Sequence, residues 1–173
     1  MREAVTEPRL RAFMRAIAAE AREPGRVYLT GGASAVLHGW RESTLDIDIS
    51  IVPDSDRILR AIPDVKERLR VNVELASPAD FVPPLPGWEE RSPFIALEGP
   101  ISFHHYDFYT QALSKLERAH RKDLLDVGAM IRDDLVDPRR LFSLFEEVEP
   151  LLYRYPAVHA PSLRAAIERI AQR

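Results

Sequence analysis

Leu45-Asp46-Ile47-Asp48-Ile49-Ser50-Ile51 decides how the rest of this chain is read. The segment alternates strictly, as a half-buried strand does. Leu45, Ile47, Ile49 and Ile51 share one face and are expected in a core. Asp46, Asp48 and Ser50 share the other face, and Pro53 closes the run. A period of two sets the two carboxylates about 6.5–7 Å apart along the chain. Asp is depleted in strands, and two on one face repel each other unless something positive sits between them. The pair therefore reads either as a solvated polar face or as a seat for a hard divalent cation, which takes oxygen ligands.

Upstream, Val27-Tyr28-Leu29 is a β-rich run that ends at Gly31-Gly32, and a short helix is expected from Ala33 to about Gly39. A glycine pair between strand and helix is either a simple turn or a place where backbone N–H groups approach a phosphate. Further back, Leu10, Phe13, Met14, Ile17, Ala18 and Ala21 recur at helical spacing and predict a helix over about 8–21. Downstream, Asp54 to Leu69 reads as helix broken near Pro63. Arg70 to Leu75 alternates again, with Val71, Val73 and Leu75 opposite Asn72 and Glu74. If this strand neighbours the first, Glu74 completes a cluster of three carboxylates; otherwise it is an exposed strand residue.

Residues 76–93 are rich in Pro and Gly and read as a long surface loop. Phe94–Leu97, Glu98-Gly99-Pro100 and Ile101–His104 read as a hairpin. Helices are expected near 109–119, 122–133, 138–152 and 161–172. The fold class is α+β, with a mixed sheet and flanking helices over 1–107 and a C-terminal helical region, 108–173, expected to pack on that core.

A length of 173 residues buries a core without staples, and the chain has no cysteine, which excludes disulfides and thiolate metal sites. No apolar run approaches the roughly 20 residues of a membrane span. The start, Met1-Arg2-Glu3-Ala4-Val5-Thr6-Glu7, carries no signal-peptide core, so a cytoplasmic setting is expected. A net charge of -3 gives no general attraction for nucleic acid, although a local basic patch still admits an RNA substrate.

The order glycine pair, helix, Asp-x-Asp strand, then a third acid on a later strand resembles the nucleotidyltransferase superfamily typified by DNA polymerase β. Within it the likeness is to the compact bacterial AbiEii-type and MenT-type toxins and their relatives. It rests on Leu29-Thr30-Gly31-Gly32-Ala33-Ser34-Ala35, on Arg41-Glu42-Ser43-Thr44-Leu45-Asp46-Ile47-Asp48-Ile49, and on Lys115-Leu116-Glu117-Arg118 with Lys122-Asp123-Leu124-Leu125-Asp126-Val127. The resemblance implies that Asp46 and Asp48 hold Mg²⁺, or Mn²⁺, with Glu74 as the third metal-site acid. It implies that Gly31, Gly32, Ser34, Arg41 and Thr44 line the bound NTP. Lys115 would neutralise charge on the triphosphate, and Asp123 or Asp126 would orient Lys115 or contact the nucleotide. The usual superfamily element is Gly-Ser, and Gly32 stands at the Ser position here.

The residues by themselves leave other readings open. Lys115 by itself reads as a surface lysine, Asp123 also as a helix cap and Asp126 also as dipole compensation. Arg41 reads also as a surface arginine. His104 and His105 are adjacent on a strand, point to opposite faces and suit structural roles. The leading expectation is a Mg²⁺-dependent enzyme that moves a nucleoside monophosphate from an NTP to an acceptor hydroxyl on RNA (tRNA in particular), a protein or a small molecule. By the same resemblance, an antitoxin is a partner to look for. The alternative is a non-catalytic nucleotide- or partner-binding module on the same fold. A metal-dependent phosphohydrolase ranks third.

Overall fold

The computed structural model describes residues 3–172. Met1, Arg2 and Arg173, at the two ends of the sequence, lie outside the described residues. The chain divides into two compact units. The first holds the chain up to Ser77 together with Ser92–Tyr106; the second holds Pro78–Arg91 and the chain from Asp107 onward.

The first unit contains α1 (Glu7–Glu20), β1 (Gly25–Thr30), α2 (Gly31–His38), β2 (Asp46–Val52), α3 (Asp56–Leu69), β3 (Asn72–Leu75), β4 (Phe94–Glu98) and β5 (Ile101–His105). Among the described residues the strands form one sheet in the order β3-β2-β1-β5-β4. Pairing is antiparallel for β1–β2 and β4–β5 and parallel for β1–β5 and β2–β3. The chain is thus an α+β protein with a mixed sheet, and residues 94–105 form the hairpin that their pattern predicts. One apolar cluster joins Ile47, Ile49 and Ile51 of β2 to Leu10, Phe13, Met14 and Ile17 of α1 and to Ile58, Ile62 and Val65 of α3. The period of two along β2 and the helical periods of α1 and α3 close on that cluster, which leaves Asp46, Asp48 and Ser50 on the opposite, half-buried face.

Four local expectations are corrected. Leu45 is not in the core; it precedes β2 and is 69% exposed. Leu75, the last residue of the edge strand β3, is likewise exposed. α3 is not broken at Pro63 but runs through it. Pro63 is exposed, opposite the buried stripe Ile58, Ile62 and Val65, and packing of that stripe holds the helix across the lost hydrogen bond. Residues 76–93 are not a structureless surface loop. They contain a 3₁₀ turn at Pro78–Asp80 and the short helix α4 (Trp88–Arg91), and Val82 and Leu85 are fully buried.

The second unit is helical: α4, α5 (Phe108–Arg118), α6 (Arg121–Arg132), α7 (Pro138–Val148), a 3₁₀ segment Glu149–Arg154 and α8 (Ala160–Ala171). Asp107 caps α5 by accepting from Tyr109 N and Thr110 N, and Arg91 holds the same carboxylate bidentately at 3.1 and 2.8 Å. No helix among the described residues is long and apolar enough to cross a membrane.

Ile49 within β2 and Leu45 just before it separate in a simple way. Ile49→Ala is expected to lower the unfolding free energy by about 2–5 kcal/mol, because it opens a cavity in a closed core. Leu45→Ala is expected to change it by no more than about 0.5 kcal/mol. Urea denaturation of the complete chain measures both.

Candidate functional site on the acidic face of β2

β1 and β2 run antiparallel with Thr30 opposite Asp48. Gly31 follows Thr30 and opens α2, so the glycine turn begins where the second aspartate projects. The contact is close: a Cβ added at Gly31 would stand 2.8 Å from Asp48 Oδ2. Gly31 also has φ +60°, a conformation that a side chain disfavours. Two separate reasons therefore require glycine at this position.

Gly32 is required by a different neighbour. A Cβ there would collide with the Thr44 side chain, standing 2.7 Å from Thr44 Cβ and closer still to the hydroxyl, with Arg41 Nη1 at 3.5 Å. Thr44 is fixed from behind by a backbone bridge to the fully buried Val5, with Val5 N donating to Thr44 O at 2.7 Å and Thr44 N donating to Val5 O at 3.0 Å. Its hydroxyl donates to Asp46 O at 3.2 Å. Gly31, Gly32, Arg41, Thr44, Asp46 and Asp48 are thus gathered at one end of the sheet, each partly accessible to solvent.

β2 and β3 are parallel neighbours, with Asp46 opposite Asn72 and Asp48 opposite Glu74. Paired residues of adjacent strands share a face, so all three acids lie on one side of the sheet. Asn72 lies between two of them and donates through Nδ2 to Asp46 Oδ1 at 2.7 Å and to Glu74 Oε1 at 3.0 Å. Among the described residues no group of three or more His, Asp or Glu converges as a metal cluster. The donor set that fits a hard cation is the Asp46–Asp48 pair beside the glycine turn. These are oxygen ligands on one half-buried face, the donor type that a hard divalent cation takes. Asn72 has no place in the sequence-based site. Its signal was nonetheless present, since Asn is disfavoured in strands and this one alternates with Glu74 opposite two valines.

Ser34 departs from the site that the sequence suggests. It is wholly buried in α2, and its Oγ shares a 2.7 Å hydrogen bond with His105 Nδ1. Its hydroxyl faces the protein interior and ties α2 to the end of β5. Burial pushes the His105 imidazole down from an ordinary value near 6.5 to about 4, with His38, Arg11 and His104 adding repulsion. The structural role expected of His105 is the one observed.

The second unit holds the remaining candidates. Lys115 of α5 is buried, with Nζ at 2.7 Å from Asp126 Oδ2 and 3.5 Å from Asp123 Oδ1, both on α6. Arg118 Nη2 pairs with Asp123 Oδ1 at 2.8 Å. Lys115 is therefore not a surface lysine. With 5% of its side chain exposed, Lys115 has two carboxylates rather than water as its partners. Asp123 lies in the first turn of α6 but spends its carboxylate on the two cations, and the cap position belongs to His120.

The family described as nucleotidyltransferase of unknown function (DUF6036) matches residues 9–165. The chain belongs to this family. No curated protein and no solved structure was found to match it. The matched span includes both glycines, the Asp-x-Asp strand, Asn72, Glu74 and the Lys115 cluster of this nucleotidyltransferase family member. The superfamily read from the sequence is thereby supported at the level of the family.

Two measurements test this geometry. Gly31→Ala is expected to destabilise the chain by about 1–2 kcal/mol. Gly32→Ala and Thr44→Gly are expected to be non-additive, with a coupling on the order of 1 kcal/mol, because the second change vacates the space that the first needs. Denaturant titration of the single and double variants gives that coupling. For His105, the unfolded chain binds a proton between pH 6.5 and about 4 that the folded chain refuses. Its contribution thus leaves stability flat above pH 6.5 and lowers it progressively toward pH 4. The stability difference between wild type and His105→Gln should shift in favour of the variant as pH falls from 7 to 4.5.

Proposed function

We propose that this chain transfers a nucleoside monophosphate from an NTP to an acceptor hydroxyl, with pyrophosphate as the leaving group. The observation that carries the reading is the seat of Asp48 against Gly31, which brings an acidic strand face and a glycine-opened helix start to one place. The dipole at the start of α2 favours an anion. Carboxylates beside a triphosphate require a cation between them, and Asp46 and Asp48 are the ligands for Mg²⁺, or Mn²⁺. Bound there, the ion supplies Lewis-acid neutralisation of the phosphate oxygens.

The acceptor oxygen bonds to the α-phosphorus while the bond from that phosphorus to the bridging oxygen of the β-phosphate breaks. The hydroxyl proton passes to solvent. The protein's part is positioning and charge compensation rather than covalent chemistry. Gly31 and Gly32 let the backbone approach the triphosphate, and the Thr44 hydroxyl and Arg41 guanidinium border it. Glu74, opposite Asp48 on β3, assists the metal and helps to activate the acceptor hydroxyl. Ser34, buried against His105, supports α2 from behind and does not touch the nucleotide. Within its own unit Lys115 is held by Asp123 and Asp126.

The finer reading follows the same resemblance. The chain is proposed to be close to the AbiEii-type and MenT-type toxins, with tRNA or a protein as acceptor and an antitoxin as partner. Incubation with each radiolabelled NTP, Mg²⁺ or Mn²⁺, and total RNA or cell extract tests both levels. Label transfer is expected from wild type and should fall at least a hundredfold in Asp46→Asn and Asp48→Asn, which should keep the wild-type circular dichroism. NTP binding without any transfer would favour a binding module, and no NTP binding would end the proposal.

A further inference from the structure

Asn72 is the one uncharged side chain in the row that joins Asp46 to Glu74, and it is almost fully buried. Its two neighbours are both acceptors, so the amide nitrogen must face them and the assignment of Nδ2 leaves no ambiguity. Register explains the contact. Asp46 is the Cα partner of Asn72 across the parallel β2–β3 pair, and Glu74 is two residues on along the same face of β3. Without a donor between them, two carboxylates on adjacent strands would repel and sample separate rotamers. With it, both amide hydrogens are used and one oxygen of each acid is fixed.

We propose that Asn72 is a positioning residue for the metal site of this chain: it orders Asp46 directly and Glu74 with it, so that the acidic face meets a divalent cation pre-arranged. This rests on the reading of Asp46 and Asp48 as cation ligands. Asn72 acts here as a donor to the acids, with both amide hydrogens used on Asp46 and Glu74. Hydrogen-bonding partners behind metal ligands commonly carry a 10–100-fold effect on metal affinity, since they remove the cost of ordering the ligand. The same arrangement accounts for a polar residue buried between Val71 and Val73, both of which belong to the apolar cluster.

The test is Mn²⁺ titration of the complete chain, followed by electron paramagnetic resonance of the free ion, for wild type, Asp48→Asn, Asn72→Leu and Asn72→Ser. Leucine keeps the branched shape and removes both donors; serine keeps one. Expected are a loss of Mn²⁺ affinity of about 10–100-fold for Asn72→Leu and a smaller loss for Asn72→Ser, with thermal midpoints near wild type. If the leucine variant melts early, the serine variant decides. Wild type that binds Mn²⁺ in an Asp48-dependent way, with Asn72→Leu and Asn72→Ser binding equally well, would overturn the role of Asn72 and leave the metal site standing. Wild type with no Asp48-dependent Mn²⁺ binding would overturn both.

Discussion

The antiparallel register of β1 and β2 is the constraint on which the site depends. Setting Thr30 opposite Asp48 puts the first residue of α2 against the second aspartate of the acidic strand. A slip of one residue would turn the isoleucines of β2 outward and the aspartates inward. That register is held because Ile47 and Ile49 are fully buried between α1, α3 and the sheet. The hydrophobic free energy that folds the unit also aims its carboxylates.

Around that register, side chains exclude one another in pairs. Asp48 occupies the space of a side chain at position 31, and Thr44 occupies that of a side chain at position 32. The Gly-Gly element thus works as two glycines with two different neighbours, one acidic and one hydroxylic. Thr44 is placed by its bridge to Val5, a core residue that enters ahead of α1, so the N-terminal segment takes part in shaping the turn. The departure from the usual Gly-Ser element has its structural counterpart in that occupancy.

In the second unit, electrostatics takes the organising role. Two carboxylates of α6 and two cations of α5 neutralise one another in a setting where a lone charge would be costly. Asp107, which caps α5 and binds Arg91, likewise satisfies a buried charge through geometry rather than solvent. Lys115, Asp123, Asp126 and Asp107 are buried in these contacts, while Arg118 reaches Asp123 from an exposed position.

The alternating run of β2 by itself determined the strand, its buried face and the sharing of one side by Asp46 and Asp48, because a period of two has no other outcome. Helical spacing likewise placed α1 and the helices after residue 107. Local pattern misjudged Leu45, Pro63 and the segment 76–93, since burial of Val82 and Leu85 and the hold of α1 on α3 are decided by residues distant in sequence. Pairing partners were also beyond its reach. That Asp46 faces Asn72, that Ser34 turns inward to His105 and that Lys115 is enclosed by two aspartates were settled by tertiary structure alone. A side chain's neighbours across strands and helices are set by register and packing, and neither is written in the residues that flank it.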